Sequence, residues 1–363
     1  MKLKAVLAVV ALGAACLVAG AGSAHAAGGT FLPFGYLTDI QVDDAHGRVF
    51  LSGDGTLVMA DLAGHLTGEP SVSNIGRIAP TPDGNSLVVT RTGPGGDGQI
   101  AVLDPATRAV TKTVTLPAGC MVGDIAPASG KIFFYSFCSG NTSWKISAVD
   151  LSTSVITFGL QTPEQGYNGQ LYSVPGAPST LVTWIDNQVI VYDTTGGLTP
   201  TATVRTSRVL VPHDLALTPD GSQVVVTRSG TSTLQLYSTT DLALTGERAL
   251  GNADALAVRA DGMVASAMVA VGKLGFFQPG AFDADQVRTI PYGNYLSPGS
   301  LAFGAKRLYE VRNISAHLEL FVDTPGPPAV LAISPVAATY GYGASPSVKV
   351  TIKSPTTSRA LDL

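Results

Sequence analysis

Two stretches of the chain are near copies of each other, and they constrain the fold more than any other feature. Residues 75–90 read IGRIAPTPDGNSLVVT, and residues 212–227 read PHDLALTPDGSQVVVT, which aligns with them without a gap. Each copy predicts a strand, a Pro-Asp-Gly turn and a second strand, because Asp bonds its own backbone and Gly accepts a positive φ. Weaker copies recur along most of the chain.

An apolar residue opens the first strand of each copy and sets the period of the repeat. The seven such anchors are Ile40, Ile78, Ile125, Leu171, Leu215, Leu256 and Leu301. Successive anchors are 38, 47, 46, 44, 41 and 45 residues apart. A period of this size, with about four short strands per unit, is typical of a propeller blade. The sequence therefore predicts an all-β, seven-bladed β-propeller over residues 27–323.

Most third strands of the repeat end in aspartate. These residues are Asp61, Asp104, Asp150, Asp193 and Asp323, and the fifth unit has Ser238 instead. One active site does not need five copies of a residue. We therefore expect these side chains to fix the turn from the third to the fourth strand.

The two ends of the propeller region predict how the ring closes. Residues 32–35 (Leu-Pro-Phe-Gly) resemble the ends of two outer strands, at residues 116–119 and 290–293. The seventh unit has three predicted strands and no fourth. An N-terminal outer strand that completes the last blade would cover the remaining unpaired edge of the ring.

The first 26 residues are predicted to be a signal peptide. Lys2 and Lys4 precede an apolar run, which ends at a small-residue cleavage site, Ala-His-Ala, at residues 24–26. We therefore expect a secreted, extracellular monomer without a membrane span. The alternatives are a transmembrane anchor, which the short run disfavours, and a lipid anchor on Cys16, which Gly13 disfavours because a lipobox has Leu there.

The charge of the chain disfavours nucleic acid as a partner. The formal net charge is −4, and loss of Lys2 and Lys4 with the signal peptide would make it −6. A mildly acidic protein has no electrostatic attraction for nucleic acid or for anionic membrane surfaces.

Two cysteines, Cys120 and Cys138, remain after the predicted cleavage. A pair of cysteines in an exported chain is expected to form a disulfide, and two buried free thiols are the alternative. We place both in loops on one rim of the third blade. The chain has no Cys-x-x-Cys motif, so a zinc site is not expected.

The composition changes after the last repeat. Residues 324–328 form a predicted Pro/Gly linker. Residues 329–363 alternate like the opening of a bacterial immunoglobulin-like repeat, but such a sandwich needs about 100 residues. We expect a short, incomplete β tail.

Residues that precede the anchors are the candidate site. Because they hold the same position in each repeat, we expect them to meet on one rim, at the mouth of the central channel. They are Asp39, Arg77, Asp124, Gln170, Asp214, Ala255 and Ser300, with His213 and Asp254 one step earlier. Apart from Ala255 and Ser300, we predict that these residues bind a ligand. Carboxylates, a His and an Arg at one mouth suit a cation or a polar ligand. The alternative is that they cap strand ends and bond loop amides.

His213 is the one candidate for a catalytic role. It could act as a general base beside Asp214, or the two could form a structural hydrogen-bonded pair. Residues 213–214 are also where the second copy departs from Gly-Arg at residues 76–77. Any chemistry is therefore expected at this departure rather than in the repeat itself.

The repeat resembles the YVTN-type β-propeller family, which has relatives among lactonase and streptogramin-lyase propellers. The resemblance is carried by residues 76–84 and 213–221, and by Ile-Pro-x-Gly at residues 290–293. The chain departs from the WD40 pattern, because neither Trp144 nor Trp184 is followed by Asp. An exported propeller with an immunoglobulin-like tail also resembles actinobacterial proteins. A resemblance of this kind specifies architecture better than function.

The leading functional interpretation is a non-enzymatic extracellular scaffold without a cofactor. Its partner would be a protein, a peptide or a cell-envelope glycan at the rim. The alternative that the resemblance implies is a lactonase- or lyase-like enzyme, with His213 as base and a divalent cation on the aspartates. A third interpretation is a purely structural protein that attaches through its tail.

Overall fold

The computed structural model describes most of the chain between residues 29 and 325. The described residues are 29–68, 73–81, 83–161, 169–185, 188–205, 212–228, 233–250, 253–268, 272–278, 281–289, 296–314, 317–325, 330–332, 349–353 and 358–362. The predicted signal peptide, the motif at 290–293 and most of the linker and tail lie outside them. The chain divides into two compact units, of which one runs from His25 to Asp323.

Thirty strands are present in the described residues. In blades one to three and before them, the strands are β1 (Thr30–Phe31), β2 (Asp39–Asp43), β3 (Arg48–Gly53), β4 (Thr56–Asp61), β5 (Ile75–Pro80), β6 (Leu87–Thr92), β7 (Gly98–Leu103), β8 (Val110–Thr115), β9 (Cys120–Ala128), β10 (Lys131–Cys138), β11 (Lys145–Asp150) and β12 (Val155–Gln161). In blades four to seven they are β13 (Gln170–Tyr172), β14 (Thr180–Ile185), β15 (Gln188–Asp193), β16 (Thr199–Arg205), β17 (Pro212–Leu217), β18 (Gln223–Arg228), β19 (Thr233–Ser238), β20 (Leu244–Ala249), β21 (Ala253–Val258), β22 (Val264–Met268), β23 (Lys273–Gln278), β24 (Ala281–Thr289), β25 (Leu301–Phe303), β26 (Leu308–Ile314) and β27 (His317–Asp323). The second unit contributes β28 (Val330–Ala332), β29 (Lys349–Lys353) and β30 (Ser358–Asp362), which form a sheet of their own.

The strands β1 to β27 form the seven antiparallel sheets of a β-propeller, as the repeat predicts. Blade one is a three-stranded sheet, β2-β3-β4, and the other six blades have four strands each. The first strands of the blades, β2, β5, β9, β13, β17, β21 and β25, each neighbour the next, and β25 neighbours β2. These inner strands line the central channel.

The N-terminal strand closes the ring in the last blade, which confirms the predicted closure. Thr30 and Phe31 of β1 pair with Leu320 and Glu319 of β27, and the amide of Leu32 donates to Leu318 O at 2.9 Å. The strand lies two residues earlier than residues 32–35 suggested. The ladder ends at Pro33 because proline has no N–H.

The core lies between the blades, where alternate residues of each second strand face opposite neighbours. In β10, Ile132 and Phe134 pack in the cluster shared with blade two. Phe133 and Tyr135 pack in the cluster shared with blade four. Because side chains alternate along a strand, a continuous apolar run such as this one serves two interfaces at once.

The predicted turn chemistry is present at the end of the channel opposite the candidate site. Gly84 and Gly221 have φ values of 71° and 69°, which glycine adopts without strain. Asp83 Oδ1 accepts the amide of Asn85 at 3.1 Å, and Asp220 Oδ1 accepts the amide of Ser222 at 3.1 Å.

Four of the five aspartates that end the third strands fix the next turn, namely Asp61, Asp104, Asp150 and Asp193. Each accepts the backbone amide two residues on, at 2.8 Å for Asp61, 2.6 Å for Asp104, 2.8 Å for Asp150 and 2.9 Å for Asp193. In blade five, Ser238 Oγ accepts the amide of Thr240 at 3.1 Å in the same way. Asp323 is buried at the end of β27.

The disulfide between Cys120 and Cys138 is present, with an S–S distance of 2.04 Å. Its placement in loops was wrong, because Cys120 is the first residue of β9 and Cys138 is the last residue of β10. The two residues are directly opposite in the ladder and their Cα atoms are 3.9 Å apart. The bond therefore joins the start of β9 to the end of β10, the strand next to it in the blade.

Candidate functional site

Five of the predicted mouth residues lie at the same end of the inner strands of blades one to five. They are Asp39, Arg77, Asp124, Gln170 and Asp214, in β2, β5, β9, β13 and β17. Most of them interact electrostatically with Arg77. Burial lowers the pKa of the Arg77 guanidinium, but nearby acidic groups raise it by more. These groups are, in decreasing order of effect, Asp124, Asp39, Tyr172 and Asp214.

Three aspartates each bond the backbone of the next blade. Asp39 Oδ2 accepts the amide of Ile78 at 3.0 Å, Asp124 Oδ2 that of Leu171 at 2.7 Å, and Asp214 Oδ2 that of Leu256 at 3.0 Å. The acceptors stand in blades one, three and five, and the donors are the anchors of blades two, four and six. An inner strand has no ladder partner on its channel side, so the carboxylate supplies the acceptor that its amide needs. We call these contacts the aspartate clamps.

Asp214 bonds the entrance to blade seven as well as the backbone of blade six. Its Oδ2 also accepts the amide of Gly299 at 2.9 Å, at the entrance to blade seven, and its Oδ1 accepts the amide of Leu215 at 2.9 Å. Blade six has Ala255 at the equivalent position, which carries no oxygen that could accept an amide. One buried side chain therefore links blades five, six and seven.

Arg77 connects the clamps of blades one and three. Its Nη1 donates to Thr38 O at 2.6 Å, and its Nε lies 3.5 Å from Asp124 Oδ1. Its side chain is 29% exposed, whereas that of Asp124 is 11% exposed. The guanidinium is thus held at two points, while part of the side chain remains open to solvent.

Burial sets the protonation behaviour of the aspartates. It raises the pKa of Asp39 from 3.8 to about 6, although Arg77 and the amide of Ile78 oppose the shift. It likewise raises the pKa of Asp214 to about 6, against the hydrogen bonds from Gly299, Leu256 and Leu215. The pKa of Asp124 is also raised by burial, and Arg77 is the main opposing influence.

Tyr172 belongs to this group, and the sequence analysis missed it. Its hydroxyl donates to Gln170 Oε1. Burial raises the pKa of Tyr172 well above its usual value, and Asp214 and Asp124 add to the effect. The repeat carried a signal for it, because the residue after the anchor is small or polar in every other blade: Gln41, Ala79, Ala126, Ala216, Ala257 and Ala302.

The remaining candidates lie in blades five to seven. Asp254 is half-buried in β21, and its carbonyl oxygen accepts Thr227 Oγ1 at 3.3 Å. His213 is in β17, but its side chain lies outside the described residues, so its role as a base stays a prediction. Ala255 and Ser300 are buried.

The chemistry of the group favours strand capping for the aspartates, since their oxygens accept backbone amides. Among the described residues, no three His, Cys, Asp or Glu side chains are grouped so as to hold a metal ion. A helix able to cross a membrane does not occur in the part of the chain that the structure describes.

Comparison with known proteins identifies the architecture alone. No family model matches the chain, and no curated protein does. The β-propeller domain of Cps50 (Swd1) from Myceliophteria thermophila is similar at 11% identity and a TM-score of 0.59, over 81% of this chain and 98% of that one. Hydrazine synthase from Kuenenia stuttgartiensis is similar at 16% identity and a TM-score of 0.56, over 83% and 98%. At such identities the likeness shows the propeller fold and nothing more specific.

Proposed function

We propose that this protein is a secreted propeller that acts as an extracellular binding scaffold, with its ligand at the channel end that carries Arg77. A propeller fold is compatible with a binding role. The partner class is an extracellular protein, a peptide or a cell-envelope glycan.

The partly exposed side chain of Arg77 is the observation that carries the proposal. The oxygens of the three clamp aspartates already accept backbone amides, so those side chains are largely engaged within the protein. Arg77 has five N–H donors, and its anchoring to Thr38 O and Asp124 fixes their direction before any ligand arrives. Pre-organisation of this kind lowers the entropic cost of binding.

The charges around Arg77 restrict the ligand. Asp39, Asp124 and Asp214 surround one guanidinium, so an anionic ligand would meet net repulsion. A neutral ligand with hydroxyl or carbonyl oxygens would accept from Arg77 without that repulsion. The electrostatics therefore favour neutral polar groups at this mouth.

The test compares Arg77→Gln with wild type in binding to secreted proteins and cell-wall fractions of the source organism. We expect saturable binding by wild type to one class of partner, and at least a tenfold loss in the variant. Lys131→Gln is the matched control, because Lys131 is exposed at the opposite end of the channel. If Arg77→Gln binds as tightly as wild type, the channel mouth is not the binding site. If wild type binds no partner saturably, the scaffold proposal is overturned.

Export is tested separately by where the protein accumulates. We expect mature protein in the culture medium, with an N-terminus at Ala27. Full-length protein retained inside the cell would contradict a secreted role.

An enzyme of the lactonase or lyase type is the second candidate. The observation in its favour is that burial raises the pKa of Asp39 and Asp214 to about 6, as carboxylates that exchange protons near neutral pH require. A stoichiometric metal ion in purified protein that is lost in Asp124→Ala or Asp214→Ala would support it. Metal-free wild type with full ligand binding would favour the scaffold.

A further inference from the structure

Blade three carries a row of three apolar side chains at the same end as the candidate site. Met121 of β9 is opposite Phe137 of β10, and Phe137 contacts Trp144, which directly precedes β11. The rings of Phe137 and Trp144 are 5.6 Å apart and tilted by 42°. We call Met121, Phe137 and Trp144 the blade-three platform.

The platform is open to solvent although its residues are those that normally fill cores. Met121 is 47% exposed, and Phe137 and Trp144 are each partly exposed. Trp144 packs one side on the core shared with blade four. Large aromatic side chains that are fixed on one side and open on the other are the usual anchors of binding surfaces.

The disulfide holds the platform rigid. Met121 follows Cys120 and Phe137 precedes Cys138, so the bond fixes the two strand ends that carry them. The following loop is tied down as well, since the amide of Ser139 donates to Gly119 O at 2.9 Å. Such a surface loses little entropy on binding.

The loop beside the platform consists of neutral polar residues. Residues 139–143 read Ser-Gly-Asn-Thr-Ser, without a formal charge. Ser139 and Thr142 are exposed, and Asn141 and Ser143 are partly so. Hydroxyl and amide groups next to an apolar surface complement a pyranose ring, which has an apolar C–H face and a rim of hydroxyls. The absence of charge in this loop favours a neutral sugar over a charged peptide.

We propose that the blade-three platform stacks against a neutral oligosaccharide, and that residues 139–143 hydrogen-bond its hydroxyls. The inference names the ligand class of the rim and rests on the proposed function. The platform crosses two interstrand spacings, or about 10 Å. It is therefore longer than one sugar ring, and a chain of several rings fits it better than a monosaccharide.

The experiment is calorimetric titration of the full secreted chain with tetrasaccharides. The probes are β-1,4-linked glucose, β-1,4-linked N-acetylglucosamine and, as the charged comparison, α-1,4-linked galacturonate. We expect saturable binding of a neutral tetramer, at least tenfold weaker binding in Trp144→Ala, and affinity within about threefold of wild type in Trp144→Phe, which retains a stacking ring. Met121→Gln, at an exposed position, is expected to weaken binding several-fold without affecting the fold.

A single-tryptophan variant supplies an independent readout. The chain has two tryptophans, so Trp184→Phe leaves Trp144 as the only one. We expect its emission to shift on titration with the neutral tetramer. The proposal is overturned if no neutral tetramer binds, if galacturonate binds more tightly, or if Trp144→Ala and Met121→Gln bind like wild type.

The outcomes also separate this inference from the proposed function. Binding that is lost in Arg77→Gln but kept in Trp144→Ala would retain the mouth as the site and remove the platform. Binding that is lost in Trp144→Ala but kept in Arg77→Gln would support the platform and remove the mouth.

Discussion

The clamp at Asp214 predicts an unusual dependence of stability on pH. Asp214 is only 5% exposed, and burial raises its pKa from 3.8 to about 6. The folded protein therefore binds more protons here than the unfolded chain between these two values. The stabilising contribution is fully present below pH 3.8 and is lost as the pH rises through about 6. At ~1.4 kcal/mol per pH unit, the loss is roughly 3 kcal/mol.

Asp214→Asn removes the titrating group and keeps the shape of the side chain. We expect the free energy of unfolding of wild type, minus that of this variant, to fall by roughly 2.5 kcal/mol between pH 4 and pH 7. The difference between the two proteins is used because surface aspartates such as Asp104 and Asp150 have lowered pKa values, so their contribution to stability changes with pH in the opposite direction. Subtraction cancels their contribution.

Asp214→Ala adds the loss of the clamp itself. The amides of Leu256 and Gly299 would then lose their acceptor, at about 1–3 kcal/mol for the buried amide of Leu256, whereas the exposed Gly299 can bond water instead. Relative to Asp214→Asn, we expect a further loss of roughly 1–3 kcal/mol at every pH.

Urea unfolding followed by tryptophan fluorescence at pH 4, 5, 6 and 7 measures all three proteins. If the curves of wild type and Asp214→Asn against pH are parallel, the buried carboxylate does not titrate as described. If Asp214→Ala is as stable as Asp214→Asn, the two amides do not depend on the clamp.

Three further predictions concern the closure of the ring, the disulfide and the clamp at Asp39. Removal of residues 1–38 takes away β1 with the buried Leu32 and Phe34, and we expect a loss of roughly 3–6 kcal/mol across the whole propeller; unchanged cooperative melting would contradict the closure. Replacement of Cys120 and Cys138 by Ser opens a loop of 18 residues and should lower stability by about 3 kcal/mol, measured by urea unfolding, and equal midpoints would refute this. The free energy of unfolding of wild type minus that of Asp39→Asn should fall between pH 4 and pH 7, as for Asp214→Asn, and a difference that does not change with pH would show that Asp39 is not held with a raised pKa.

The blades could be predicted from sequence because their signals are local. The Pro-Asp-Gly turns and the apolar second strands lie within 16 residues of each other in residues 75–90 and 212–227. The N-terminal closure was also visible, since it follows from the missing fourth strand of the last blade. Its position was displaced because Leu-Pro at residues 32–33 looked like the strand itself, whereas Pro33 ends it.

The clamps could not be predicted, because they depend on how neighbouring blades face each other. The Asp39 carboxylate meets the amide of Ile78, which is 39 residues away, and Asp214 meets Gly299, which is 85 residues away. The sequence placed these residues on one rim, but both a ligand site and a strand cap fitted that placement. The structure was needed to show that the carboxylates bond the backbone and that the side chain of Arg77 is partly exposed.

The aspartate clamps also bear on how such a ring can change in size. Acceptors in blades one, three and five alternate with donors in blades two, four and six, and an alternating pattern cannot close around an odd number of members. The break falls at blades six and seven, where Ala255 and Ser300 stand and Asp214 bridges to Gly299. Duplication of a single blade would place two acceptors or two donors side by side. The unit that can be copied without loss is therefore a pair of blades together with the carboxylate that joins them.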